Sequence, residues 1–284
     1  MSKYILNINC PDKKGIIATV TNFIHLNAGN ILYIDQYVDR ENKLFFMRLE
    51  CEFINGDFTE VQFRATFDEA VVKQYNLNYE LYNQDDRPKM ALFVSKYDHC
   101  LYDLLSQYKS GELCVDIPFV LSNHEDLKEA TERFGIPFYH VPFTKDFREK
   151  AEAEQLALLK KHQVDFIVLA RYMQIVSSAL IDVYPNKIIN IHHSFLPAFP
   201  GAKPYHSAYE RGVKLIGATS HYVTEDLDAG PIIAQDVTQV SHLHSVKDLI
   251  SSGKELEKVV LSRAVKKHVA RKVLSYANRT VVFH

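Results

Sequence analysis

The sequence predicts an α/β protein in two parts. A ferredoxin-like βαββαβ unit occupies residues 1–83, and a doubly wound, mostly parallel α/β domain occupies 90–284. Three observations carry this. From Leu44 to Phe53 apolar and polar side chains alternate strictly, with Phe45, Met47, Leu49, Cys51 and Phe53 inward and Phe46, Arg48, Glu50 and Glu52 outward. That is the pattern of an antiparallel strand with one wet face. Beyond residue 89 the chain changes to short apolar runs such as Met90–Val94 alternating with amphipathic segments, as buried parallel strands and their crossover helices require. Between them lies Asn83-Gln84-Asp85-Asp86-Arg87-Pro88-Lys89, whose polar, proline-bearing character sets a linker at 84–89.

In the first part, Tyr4–Cys10 reads as a strand with Leu6, Ile8 and Cys10 on one face. After the Pro11-Asp12 turn, residues 15–28 place Ile16, Val20, Phe23, Ile24 and Asn27 near helical spacing, and Gly29 suits the left-handed position that ends a helix. Ile31–Val38 is a second strand. Asp57 is placed to cap a helix from Phe58 to about Gln74, and Leu77, Tyr79 and Leu81 form a last strand. In the second part, strands are expected at Met90–Val94, Ile117–Ser122, Phe138–Val141, Asp165–Ala170 and Ile188–Ile191. Helices are expected at Cys100–Tyr108, Asp126–Phe134, Glu149–His162 and Ser177–Ile181. Lys214–Val223 and Ile232–Val237 read as an antiparallel pair added at the sheet edge. The tail from Val246 to about Ser275 reads as mostly helical, with Arg263, Lys266, Lys267, Arg271 and Lys272 on solvated faces.

Composition narrows the function classes. With 284 residues, 47% apolar and 24% charged, the chain can bury a full core. A formal charge of -2 offers no basic footprint for nucleic acid. No apolar run approaches a membrane span, and the start runs straight into an alternating strand with no signal-peptide pattern. Cys10, Cys51, Cys100 and Cys114 are scattered, which favours buried free thiols in a reducing cytoplasm over a disulfide frame or a zinc site.

The chemistry-bearing residues concentrate between Ile188 and Gly230. Ligands of open α/β sheets bind outside the carboxyl ends of the strands. Three such ends are Val94-Ser95-Lys96, Leu169-Ala170-Arg171-Tyr172-Met173 and Asn190-Ile191-His192. Asn190 and His192, two apart on a strand end, leave by the same face. Asp228 lies in the turn-like Asp226-Leu227-Asp228-Ala229-Gly230-Pro231. An amide can donate to a developing oxyanion, an imidazole beside a carboxylate is held oriented, and the carboxylate can take a proton from water. The set suits acyl transfer or hydrolysis. On residue chemistry alone other readings stand beside this one: Asn190 as a turn former, His192 as a satisfied surface polar residue, Asp228 as a loop former.

Two resemblances add to this. The residues N-C-P-D-K-K-G-I-I-A-T-V at 9–20, followed by N-A-G-N-I at 27–31, resemble an ACT domain. That resemblance implies regulation, with Asp12, Lys13, Lys14 and Gly15 as the ligand loop and glycine or methionine as the natural effectors. It also implies pairing into a homo-oligomer, a tetramer or another even-numbered assembly. The stretches L-A-R-Y-M-Q-I at 169–175, N-I-H-H-S-F-L-P-A-F-P-G at 190–201 and H-Y-V-T-E-D-L-D-A-G-P-I-I at 221–233 resemble the formyltransferase fold that uses formyltetrahydrofolate. The family's catalytic Asn, His and Asp fall on Asn190, His192 and Asp228, and His221 on a supporting histidine. Met173, Gln174, Ile175 and Val176 match the segment whose backbone holds the folate pteridine, with Gln174 where relatives commonly have Arg.

Within that fold, glycinamide ribonucleotide transformylases carry a glycine-rich loop for a substrate phosphate. This chain has V-S-K-Y-D-H-C at 94–100, without glycine and with Asp98 to repel a phosphate. Methionyl-tRNA formyltransferases carry a further RNA-binding domain, whereas this chain ends soon after its last helix. S-K-Y-D-H-C, the doubled His192-His193, G-A-K-P-Y-H at 201–206 and the ACT-like start together resemble the formyltetrahydrofolate deformylases. This implies water as the acceptor, 10-formyltetrahydrofolate as substrate, no cofactor and no metal. His193 is a further supporting residue to which the resemblance assigns no role. Rival readings are a metal hydrolase using His192, His193, His206 and His221, a serine hydrolase using Ser194, which lacks a Gly-x-Ser-x-Gly elbow, and a non-catalytic amino-acid sensor that keeps a folate pocket.

Overall fold

The computed structural model describes residues 2–53, 58–143, 148–198 and 204–284. Two compact units emerge: residues 1–86 with 271–274 and 281–284, and residues 87–270 with 275–280. The first break falls inside the polar linker. The return of the C-terminal segments to the first unit departs from the sequence pattern, which places them in the second domain.

The first unit runs β1 (Ser2–Pro11), α1 (Ile16–Leu26), β2 (Gly29–Asp39), β3 (Leu44–Phe53), α2 (Glu60–Phe67), a π-helical turn (Asp68–Val72), a last helical turn α3 (Lys73–Tyr75) and β4 (Asn78–Asn83). The antiparallel sheet has order β2-β3-β1-β4 and sets Leu6 opposite both Leu49 and Leu81. The inward residues of β1 and β3 are buried against Val20, Phe23 and Ile24 of α1 and Phe63 and Phe67 of α2.

Three expectations change here. Asp57 lies outside the described residues, and the helix is capped by Thr59 in a reciprocal capping box with Gln62. Ala28, not Gly29, takes the left-handed backbone after α1, at φ 57. Gly29 is required for space instead, since a Cβ there would meet Phe53 at 2.6 Å. Finally, the outer face of β3 is not fully wet: Phe46 and Arg48 are buried. The Arg271 carbonyl, brought in by the C-terminal segment, accepts from Arg48 Nε at 3.1 Å and from Asn7 Nδ2 at 3.0 Å. Glu50 pairs with the Arg48 guanidinium at 2.6 Å.

The second unit is organised by a seven-stranded sheet of order β11-β10-β9-β8-β5-β6-β7. Its strands are β5 (Met90–Val94), β6 (Val120–Ser122), β7 (Phe138–His140), β8 (Phe166–Ala170), β9 (Ile188–His192), β10 (Leu215–Tyr222) and β11 (Ile232–Gln239). The five strands from β9 to β7 in that order are parallel, and β10 runs antiparallel to both β9 and β11. The fully buried runs of β5 and β8 explain their continuous apolar sequence. The chain first builds outward from β5 through β6 to β7, then returns to lay β8 and β9 on the other side. The crevice outside the carboxyl ends of β5 and β8 is therefore the topological switch point, where such sheets bind ligands.

Helices α4 (His99–Lys109), α5 (Lys128–Arg133), α6 (Arg148–His162), α7 (Ser178–Val183) and α9 (Val246–Val269) follow the periodic segments, and α8 (Pro204–Arg211) is additional. Helix α9 stops short of the expected Ser275. Arg271 turns left-handed at φ 55, and a hairpin of β12 (Val273–Tyr276) and β13 (Arg279–Val282) follows. Among the described residues no helix is long and apolar enough to cross a membrane. Cys10, Cys51 and Cys100 are buried as expected of free thiols, whereas Cys114 is exposed. Burial pushes the Cys51 thiol up to about 12.

Candidate active site

The end of β9 supplies Asn190 and His192, and pairing with β10 sets His221 opposite Asn190 and Thr219 opposite His192. Opposite these lies the turn bearing Asp228, whose backbone is left-handed at φ 55. The turn is tightly fixed. A Cβ on Gly230 would lie 1.9 Å from the Tyr222 carbonyl oxygen, so only glycine closes it. Asn278, at the tip of the C-terminal hairpin, donates to the Ala229 carbonyl at 2.7 Å.

This geometry brings the predicted trio together. His192 Nδ1 is 3.1 Å from Asp228 Oδ2, and His221 Nε2 is 3.7 Å from Asp228 Oδ1. Asn190 Nδ2 lies 3.3 Å from His221 Nε2. His221 Nδ1 faces the Tyr222 carbonyl at 2.9 Å, so that nitrogen carries the proton. Its Nε2 then accepts the Asn190 amide in the neutral ring, or donates to Asp228 when protonated. Burial raises the Asp228 pKa, but hydrogen bonds and charge from His192 and His221 outweigh it and hold the carboxyl well below its usual range. Asp228 is therefore an anion at neutral pH. With Nδ1 turned to Asp228, His192 aims its buried Nε2 away from the carboxylate, without a hydrogen-bond partner.

The other sequence candidates divide. His193 is buried, its ring centroid 5.2 Å from His192 and 5.8 Å from Tyr205. Met173 and Ile175 are exposed on the loop after β8, while Gln174 and Val176 are half-buried. The Met173 backbone N–H is already given to Ser95 Oγ at 3.1 Å, and Ser95 donates to Asn123 Oδ1 at 2.6 Å, which ties the loops after β5, β6 and β8 together. Ser194 is buried and donates to the Ala198 carbonyl at 2.8 Å, so its hydroxyl is turned away from any histidine base. His206 is exposed on α8, apart from the buried His192 and His221. Asp12, Lys13, Lys14 and Gly15 form an exposed loop at the start of α1. One turn further along that helix a cleft of about 360 Å³ opens, lined by Thr19, Asn22, Thr66 and Glu69 among others.

Sequence reasoning missed a second buried polar cluster. Glu257 of α9, 1% exposed, accepts from Tyr205 Oη at 2.7 Å and from His99 Nε2 at 2.8 Å, and lies 3.4 Å from Arg171 Nε. Burial raises the Glu257 pKa, but the hydrogen bond from His99, the Arg171 charge and the Tyr205 hydroxyl bring it below its usual value. His99, Cys100 and Glu257 together have the donor types of a metal site, their ligand atoms all within 4.8 Å. The carboxylate is already balanced by Arg171, and burial pushes the Cys100 thiol well up, away from the thiolate that a metal would need. A signal was available: Leu249, Gly253, Glu257 and Leu261 recur every four residues on the buried face of α9, and one of them is an acid.

Comparison with known proteins agrees with this arrangement. The formyl transferase family model matches residues 88–265 and the ACT domain model residues 4–61. A formyltetrahydrofolate deformylase of Synechocystis is 49% identical over 278 residues, spanning 98% of this chain and 97% of the relative. The crystal structure of a formyltetrahydrofolate deformylase from Pseudomonas syringae superposes with a TM-score of 0.97 at 45% identity, covering 100% of this chain and 95% of that one. A glycinamide ribonucleotide transformylase from Symbiobacterium toebii reaches a TM-score of 0.67 at 28% identity, over 72% of this chain and 98% of its own. The transformylase likeness leaves over a quarter of the chain unmatched, whereas the deformylase likeness runs through both units in order at high identity. By that full-length agreement the chain belongs to the formyltetrahydrofolate deformylase family.

Proposed function

We propose that this chain hydrolyses 10-formyltetrahydrofolate to tetrahydrofolate and formate, with Asn190, His192 and Asp228 as the catalytic groups. The observation that supports it best is the His192–Asp228 contact of 3.1 Å beside Asn190, at the carboxyl ends of the strands, in a chain of this family. Asp228 has too low a proton affinity to be an effective base alone, so the pair acts as one. Water gives a proton to His192 Nε2 as its oxygen attacks the formyl carbon. Asp228 stabilises the imidazolium that results. The Asn190 amide and the imidazolium hold the oxyanion, and the proton passes to N10 as the C–N bond breaks. His221 orients Asn190 and Asp228, and His193 packs behind His192. The loop Met173–Val176 borders the folate.

The same reading covers physiology. The enzyme supplies formate for purine biosynthesis and balances one-carbon folate pools in the cytoplasm. It assembles as an even-numbered homo-oligomer such as a tetramer, and responds to glycine or methionine at the loop Asp12–Gly15. A formate-release assay on 10-formyltetrahydrofolate, with and without small amino acids, tests activity and regulation together. Transfer of the formyl group to a glycinamide nucleotide, with no formate released to water, would sink the hydrolytic reading.

A further inference from the structure

Buried polar groups in folded proteins are nearly always paired, so a place where several are not carries information. Among the described residues of the second unit, the buried side-chain nitrogens without a hydrogen-bond partner are His99 Nδ1, Arg171 Nε and Nη1, and His192 Nε2. All belong to the carboxyl ends of three neighbouring strands. His99 ends the loop that leaves β5, Arg171 follows β8, and His192 closes β9. Val94 pairs with Ala170 and Leu169 with Asn190. Arg171 follows the last paired residue of β8, and its left-handed backbone ends the ladder there, between the strands that lead to Ser95 and to His192. This is the switch-point crevice itself.

Arg171 is held there deliberately. Its backbone is left-handed at φ 63, a conformation that a non-glycine residue keeps only when its surroundings impose it. Its guanidinium lies 4.8 Å from the Tyr97 ring centroid and its Nε 3.4 Å from Glu257. The Glu257 carboxylate is in turn fixed by Tyr205 and His99, and Tyr205 packs so closely on α9 that a Cβ at Gly253 would come within 2.1 Å of its hydroxyl. The side chain is thus immobilised through Nε and the Tyr97 ring, while its buried Nη1 keeps no partner.

We propose that Arg171 is a product-contacting group of the reaction: the N–H of its unpartnered Nη1 receives the formate anion as the C–N bond breaks, and Glu257, ion-paired to Nε, is the positioning residue that holds the guanidinium. The inference rests on the hydrolysis proposed above. In that reaction the water oxygen bonds to the formyl carbon and the bond to N10 breaks. One water proton ends on N10, and the other leaves as formic acid ionises, so no oxidant or reductant is involved. The product anion forms near Asp228, which is already negative, and needs a cation beside it. A fixed planar guanidinium complements a planar carboxylate better than an ammonium group does.

Formate is the probe. Its inhibition of 10-formyltetrahydrofolate hydrolysis and its effect on the melting temperature are measured against sodium chloride at equal ionic strength. The unaltered enzyme should be both inhibited and stabilised. Arg171→Lys and Arg171→Met should raise the inhibition constant about tenfold or more, equivalent to about 1.4 kcal/mol, and abolish the stabilisation. KM for the folate should stay within about twofold, since the group acts after the folate is bound. Glu257→Gln should weaken formate by a smaller factor, about threefold, with KM likewise unchanged. If Arg171→Met fails to fold with Glu257 left unpaired, the double variant Arg171→Met, Glu257→Gln removes both charges and takes its place. An unaltered enzyme indifferent to formate, or a folded Arg171 variant with undiminished formate response, overturns the inference. An unaltered chain that releases no formate overturns the proposed activity instead, and the thermal shift, which needs no turnover, still decides the role of Arg171.

Discussion

Asp228→Asn separates charge from conformation at the centre of the site. Asp228 sits at φ 55, a left-handed position that asparagine tolerates better than most residues, so the turn should keep its shape. What is lost is the negative charge 3.1 Å from His192 Nδ1. A hydrogen bond to a charged group is worth about 1.5–3 kcal/mol. In the proposed reaction the same charge would also stabilise the imidazolium formed when His192 takes the proton, and it turns Nδ1 toward the carboxylate and Nε2 away from it. Together these put the loss in turnover at about 10²–10⁴-fold, or about 3–5 kcal/mol of activation free energy. Formate release is the assay, with circular dichroism and thermal melting to confirm the fold. A folded variant that keeps formate release within about threefold of the unaltered rate at neutral pH would refute the argument, because an interaction of this size cannot vanish without a rate effect.

Other outcomes follow from the same geometry. Because the Asp228 pKa is lowered on folding, its ionisation stabilises the protein above the unfolded carboxylate value of about 3.9, and that contribution is lost as pH falls through the lower folded value. The gap in urea midpoint between the unaltered protein and Asp228→Asn should therefore be widest near neutrality and narrow as pH drops below about 4. Gly230→Ala forces a Cβ onto the Tyr222 carbonyl oxygen at 1.9 Å, and backbone must move. It should cost about 1–3 kcal/mol in a denaturant melt, and turnover should collapse because Asp228 shares the turn. Asn278→Ala releases the Ala229 carbonyl. A stability loss of about 0.5–1.5 kcal/mol, with turnover lowered and KM for the folate unchanged, would show that the hairpin tip braces the turn bearing Asp228.

Much of the fold was legible because its signals are local. The inward residues of β3 were readable from alternation alone, as were the apolar runs of β5 and β8, since a strand repeats every two residues whatever lies beyond it. Asn190, His192 and Asp228 were legible for a related reason: a strand end and a Gly-Pro turn announce where side chains leave the sheet. Arg48 was misjudged because the carbonyl that receives it comes from Arg271, more than two hundred positions later in the chain, and Phe46 because Tyr37 of the neighbouring strand stacks on it. The hairpin after Val269 was missed because residues on either side of Arg271 share an apolar, basic character that a longer helix would also show. Gly29 was recognised as special for the wrong reason, since crowding by Phe53 is a tertiary fact and φ is a local one.

Glu257 marks where the boundary lies. Its spacing along α9 places it on the buried face, and a lone acid there demands partners; both are properties of the sequence. Which partners it finds is not, for His99, Arg171 and Tyr205 come from three other elements, as far as 158 residues away. By itself the sequence determined the periodic elements, the strand ends and the residue types available for chemistry, because backbone geometry and burial of apolar faces are satisfied within a few residues. The tertiary structure alone decided which charges neutralise each other, which histidine nitrogen faces the carboxylate, and which donors remain unpaired. Those outcomes depend on strand order and on distances of a few ångströms between segments that no local pattern relates.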